Sequence, residues 1–243
     1  MAATLLLATF QPVTGGGSNA ANAAAYRLSE HWDAGSAGIE ILPLRLPRAY
    51  ARAANAVRAA LAADRPDLFL LLDTDPASSD WKLHVFAANL DDSPEPDDDG
   101  IVLTDSIIDA DGPVAYRSRL PLDGIWDKFT VERVPCRMSH KAGGHVFNHV
   151  FYQALRAVAE QALPTLCGAA ETPPTADEAV AETEARSAEA LDDDLRMVIA
   201  VLRKLHPAAL KAAAQSPTEV DTDEPGDPSS LRGKRARSRD IRR

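Results

Sequence analysis

Runs of apolar residues alternate along this chain with segments whose apolar positions repeat at helical spacing. Residues 4–10 read as a buried strand and are followed by a turn-rich loop, Thr14-Gly-Gly-Gly-Ser18. Asn19 can cap a helix that runs to about Trp32. A short apolar run at 38–42 predicts a second strand, and Ala, Val and Leu at helical spacing over 50–63 predict a helix that Arg65-Pro66-Asp67 ends. Residues 68–72 are consecutive large apolar side chains, the mark of a central strand covered on both faces. Strands are also predicted over 82–90, 131–138 and 163–167, with an acidic, proline-bearing loop at 91–100. Turns at Gly112 to Tyr116 and Leu120 to Leu122 lead to a short helix near 123–129, and a further helix starts after Gly143 or Gly144 and runs to about Gln161. Residues 175–205 are mostly helix-forming, with Val180, Leu191, Leu195, Val198, Ile199 and Leu202 as an apolar stripe.

Strands that alternate with helices indicate a parallel or mixed sheet with helices on both faces. One α/β domain over residues 1–210 accounts for the pattern. Residues 211–243 form a tail of five acids between Glu219 and Asp227, then seven bases against one acid after Leu231, a composition that predicts disorder. The chain of 243 residues is 45% hydrophobic and 26% charged, ordinary for a soluble globular protein. Its net charge of -10 argues against nucleic acid as a partner, except through the basic tail. Cys136 and Cys167 are too few and too far apart for a disulfide framework, which predicts a reducing compartment, the cytoplasm. The opening apolar run lacks a basic flank and reads as a strand rather than a signal peptide, and no run reaches the roughly 20 residues that span a bilayer, so no membrane is expected.

The chemistry is concentrated in Ser139-His-Lys-Ala-Gly-Gly-His-Val-Phe147-Asn-His-Val-Phe-Tyr152. This segment resembles the nucleophile segment of pyroglutamyl (pyrrolidone-carboxyl) peptidases, S-x-x-A-G-x-x-x-C-N-x-x-x-Y, with Ser139, Ala142, Gly143, Asn148 and Tyr152 in register and Phe147 in place of the cysteine. Further stretches resemble that family in order and spacing. They are Phe10, Pro12, Gly15 and Asn19 after the first strand, Pro66-Asp67 before the central strand, and Ala87 and Asn89 beyond it. Pro96-Asp97 with Gly100, Gly112-Pro113 with Ala115-Tyr116, Leu120-Pro121 and Val134-Pro135 continue the match. The resemblance implies a three-layer α/β/α sandwich with a mixed, mostly parallel sheet, and a homo-oligomeric habit.

It also implies a cysteine at a helix N-terminus that attacks the carbonyl after a terminal pyroglutamyl ring, a histidine base and a glutamate that orients it. None of the three is in place. Phe147 stands for the cysteine and His84 for the glutamate, and Val85 replaces an arginine. The histidine belongs to an F-I-H-V-P strand end, aligned with Leu166-Cys167-Gly168, where the chain has no histidine. Among the pocket equivalents Phe10, Val13, Asn19 and Thr74, Val13 is smaller than the family's phenylalanine and Thr74 replaces a glutamine. The expectation is a non-catalytic family member retained as a binding or assembly module, with a peptide or small amide ligand in the remnant pocket. The alternative is a cysteine-type hydrolase with a rearranged site, Cys167 as nucleophile and His84 as base.

Two other constellations have readings of their own. His145 and His149, spaced i, i+4, could join His84 in a metal site, or be partly exposed surface histidines. The Asp91-Asp92 and Asp97-Asp98-Asp99 clusters lack the D-x-D-x-D-G pattern of a calcium loop and read as a solvated acidic loop. Ser139-His140 are adjacent in the chain, a poor geometry for a dyad. No metal or other cofactor is expected.

Overall fold

In a computed structural model that describes residues 2–12, 18–143, 145–180, 182–213 and 219–220, the first apolar run becomes β1 (Ala3–Phe10). There follow α1 (Ala20–Glu30), α2 (Ala34–Ala37), β2 (Ile39–Leu46), α3 (Tyr50–Asp64), β3 (Leu68–Thr74), β4 (Trp81–His84), β5 (Phe86–Ala88), β6 (Asp91–Ser93), β7 (Leu103–Ser106) and β8 (Ala115–Arg117). The chain continues through α4 (Leu122–Glu132), β9 (Cys136–Ser139), α5 (Val146–Glu160), β10 (Leu166–Thr172), α6 (Ala188–Ala213) and β11 (Glu219–Val220). Six strands form the main sheet in the order β2-β1-β3-β10-β4-β9. Each neighbouring pair is parallel except β10 with β4.

Strand periodicity divides the core in two. Leu5, Leu7, Leu68, Leu70 and Leu72 face a layer made by α1, α4 and α6, whereas Leu6, Ala8, Phe10, Phe69 and Leu71 face α3 and α5. Side chains buried on both faces produce the unbroken apolar runs of β1 and β3, and the three layers expected of the chain follow from them. Pro43 is accommodated in β2 because that strand lies at the sheet edge.

Several predicted boundaries move. The stretch 82–90 is two strands, since β4 stays in the main sheet while β5 pairs with β8 in a smaller sheet of order β11-β8-β5. The stretch 131–138 begins as the last turn of α4, which ends at Arg133 in the left-handed conformation, and only Cys136–Ser139 is strand. The strand placed at 163–167 runs on to Thr172 and lies inside the sheet, between β3 and β4. Gly168 there lets the Ser118 to Leu120 segment approach; a Cβ would come within 2.5 Å of Ser118 Oγ.

Helix α6 starts at Ala188 rather than near 175. Before it, Glu178 accepts from the backbone N–H of Ala20 at the start of α1, and Arg186 grips Asp194. Val180 is accordingly exposed, while Leu191, Leu195, Val198, Ile199 and Leu202 are buried as the stripe requires. Most of the charged tail lies outside the described residues. Within it, Glu219–Val220 pairs antiparallel with β8. Among the described residues no helix is long and apolar enough to cross a membrane.

Candidate functional site

The α3/α5 face of the sheet gathers most of the chemistry-bearing side chains at one edge. Phe10 ends β1, Asp73 lies near the end of β3 and Glu171 near the end of β10, each on this face by strand alternation. Directly opposed residues of an antiparallel pair project to the same side. Lys82 opposite Glu171 and His84 opposite Ala169 therefore join them. Helix α5 starts over this edge, with His145 as N-cap and Phe147 as its second residue.

Phe147 is 7% exposed, and its ring packs against His84 (centroids 5.1 Å apart) and Phe10 (6.4 Å). Next to it, Asn148 is fully buried and joins α5 to β5. Its Oδ1 accepts from Ala88 N and its Nδ2 donates to the carbonyls of Ala88 and Leu90.

His84 is 1% exposed, and its Nε2 lies 2.9 Å from Glu171 Oε2. Burial alone would raise the Glu171 carboxyl. The hydrogen bond from His84, with Lys82 beside it, outweighs burial and holds it below the usual glutamate range. An ionised carboxylate only accepts, so Nε2 carries the proton. His84 Nδ1 is buried without a hydrogen-bond partner among the described residues. Lys82 bridges Glu171 and Asp75.

Glu171 escapes the sequence analysis because β10 was ended at Cys167. The strand runs to Thr172, with Pro173 after it, so Glu171 is a strand residue within reach of His84.

The pocket equivalents have taken structural work. Asn19 caps α1 by accepting from Asn22 N, and its amide donates to Asp73. Thr74 turns to the opposite layer and accepts from Ala21 N. Phe10 is fully buried, with the Arg48 guanidinium 5.2 Å above its ring. Arg48 in turn makes a two-pronged ion pair with Asp73, at 2.6 and 2.9 Å. Neither member of that pair was singled out by sequence. Val13 lies outside the described residues.

Cys167 is fully enclosed in the α3/α5 core, and burial pushes its thiol well above the ordinary range, against a smaller opposing effect of Arg119. A thiol so held is almost wholly protonated near neutrality, which counts against a relocated nucleophile. Cys136 is likewise pushed up, to about 12, by burial and then by Asp80.

The three histidines proposed as metal ligands turn to separate partners. His84 bonds Glu171 and His149 Nδ1 bonds Asp91 at 2.7 Å, while Tyr50 stands edge-on to both His145 and His149. Among the described residues no three His, Cys, Asp or Glu side chains are placed to hold a metal ion. The acidic loop is not simply solvated: Asp91 and Asp97 are 1% and 8% exposed. Asp97 accepts from the backbone N–H groups of Tyr50, Asp99 and Ile101, which outweigh its burial and lower its pKa, and it thereby caps α3. Ser139 donates to the Lys141 carbonyl and His140 is exposed, so the two form no dyad.

Comparison with known proteins agrees with this architecture. The sequence profile described as pyroglutamyl peptidase matches residues 3–206. The chain is 31% identical over 201 residues to a pyrrolidone-carboxylate peptidase of Levilactobacillus brevis, covering 83% of this chain and 96% of that protein. It is 31% identical over 202 residues to the Streptomyces coelicolor pyrrolidone-carboxylate peptidase, covering 80% of this chain and 89% of that one. The crystal structure of Bacillus amyloliquefaciens pyroglutamyl peptidase I superposes with a TM-score of 0.77 at 21% identity, over 84% of this chain and 98% of that one. At such identity the superposition speaks for the fold alone.

Proposed function

The chain belongs to the pyroglutamyl peptidase family, and from that premise we propose that it is a member without thiol-peptidase chemistry, kept as a binding or assembly module. One observation carries the reading: the Phe147 ring, at the position to which the resemblance gives the attacking thiol, is buried against His84 and Phe10. A phenyl group has no lone pair to attack a carbonyl, and loss of a nucleophile by itself removes several orders of magnitude in rate. The two cysteines do not supply a substitute, because both are held protonated by burial.

What remains is recognition. The ligand class that fits the lineage of the site is a peptide or small amide. A cleft of about 370 Å³ beside β4 and β5, lined by Val85, Phe86, Arg117, Asp123, Met138 and His140, offers charged and aromatic groups, and its apolar residues belong to the layer opposite Phe147. Isothermal titration with a pyroglutamyl peptide, followed by mass spectrometry of the recovered peptide, tests the reading. Binding with the peptide recovered intact is expected. A cleaved peptide would overturn the loss of chemistry, and no heat of binding would overturn the ligand class.

A further inference from the structure

We infer that His84 and Glu171 form an intact pair of proton acceptor and orienting carboxylate serving position 147, so that this chain lacks a nucleophile but not the groups that would activate one. The inference rests on the reading of Phe147 as the replaced nucleophile and goes further, since it assigns roles to two residues on neighbouring strands.

The geometry has the parts such a pair requires. The imidazole is 1% exposed and held at Nε2 by Glu171 at 2.9 Å, which fixes its tautomer and orientation. Its other nitrogen, Nδ1, is buried and unpartnered among the described residues, and in this tautomer carries a lone pair. The ring packs against the side chain at 147, with centroids 5.1 Å apart. Residue 147 is in the first turn of α5, where the helix N-terminus favours negative charge. A buried histidine packed for structure alone would need none of these together.

The charged groups around the imidazole are Glu171 from β10, Lys82 from its own strand, and Asp75, which pairs with Lys82. With cysteine at 147, the thiol proton passes to His84 Nδ1, leaving a thiolate and an imidazolium held by the Glu171 carboxylate. Toward iodoacetamide the thiolate forms a C–S bond and iodide leaves with the electron pair of the broken C–I bond.

The test uses the full chain carrying Phe147→Cys, alone and combined with His84→Asn or Glu171→Gln. Alkylation is followed across pH and the label located by peptide mapping. The introduced thiol is expected to react about tenfold faster at pH 7 than in the His84→Asn background, with a midpoint below the ordinary cysteine value of about 8.5. Glu171→Gln should bring the midpoint part of the way back. Equal rates with and without His84 would overturn the inference, because the helix end alone would then explain any reactivity.

Should Phe147→Cys fail to melt cooperatively, ¹⁵N NMR of the native chain decides. Neutral His84 is expected to hold its proton on Nε2 and to lose that preference in Glu171→Gln; a proton on Nδ1 would overturn the pair. Cleavage of a pyroglutamyl amide by the native chain would sink the proposed function, whereas a thiol at 147 that gains nothing from His84 would sink only this inference.

Discussion

A phenyl ring at position 147 must be housed among neighbours that include polar side chains. Here it is housed against His84 and Phe10, and the Arg48 guanidinium covers Phe10 in turn. The neighbouring polar residues then have to satisfy one another, as Arg48 does with Asp73 and His84 with Glu171. That positions 84 and 147 belong together was legible through the resemblance, and their rings do meet. The partner Glu171 was not, since pairing across strands depends on where β10 ends. That pairing makes a prediction about acid. The folded-state pKa of Glu171 is depressed, so its stabilisation is fully present above about 4.5 and is lost as pH falls from there through the lowered value. Thermal melts should therefore show the native chain losing stability below that pH more steeply than Glu171→Gln. Parallel curves would deny the pairing.

At the scale of elements, hydrophobic runs located the strands well where both faces are covered, as in β1 and β3. They failed where the chain changes sheets. β4 and β5 share one unbroken apolar pattern, yet Val85 donates to the Ser139 carbonyl and accepts from Ser118 N, and the pairing partners change on either side of it. Period-two alternation cannot show such a handover, because it records faces and not partners. The amide of Asn148 holds the second sheet to α5 through three hydrogen bonds to β5 and the carbonyl after it. Asn148→Ala would leave those buried backbone groups unmatched and should cost about 2–3 kcal/mol. Urea unfolding would measure it, and a loss under about 0.5 kcal/mol would mean that the packing of α5, not this amide, joins the two sheets.

For the molecule as a whole, three layers were predictable from alternating strands and helices, and the described residues bear this out. The last helix completes the layer opposite the candidate site. Leu191, Leu195, Val198, Ile199 and Leu202 of α6 are buried against α1 and α4, and Asp194 ties Arg186 and the indole N–H of Trp81 together. Its start was misplaced because residues 175–187 have helix-forming composition but are engaged by α1 and by Asp194. Leu195→Ala should therefore destabilise by about 3 kcal/mol, read from denaturant melts, while leaving the His84–Glu171 pair on the other face untouched. A loss below about 1 kcal/mol would mean that α6 is peripheral to the core.

The central claim is that this peptidase fold has kept its architecture and given up its thiol chemistry. The most direct measurement is release of fluorophore from a pyroglutamyl-coumarin amide by the purified native chain, with Cys167→Ala alongside. No release above the uncatalysed rate is expected from either protein. Turnover by the native chain would contradict the account, and its disappearance in Cys167→Ala would show that the nucleophile is the buried thiol of β10.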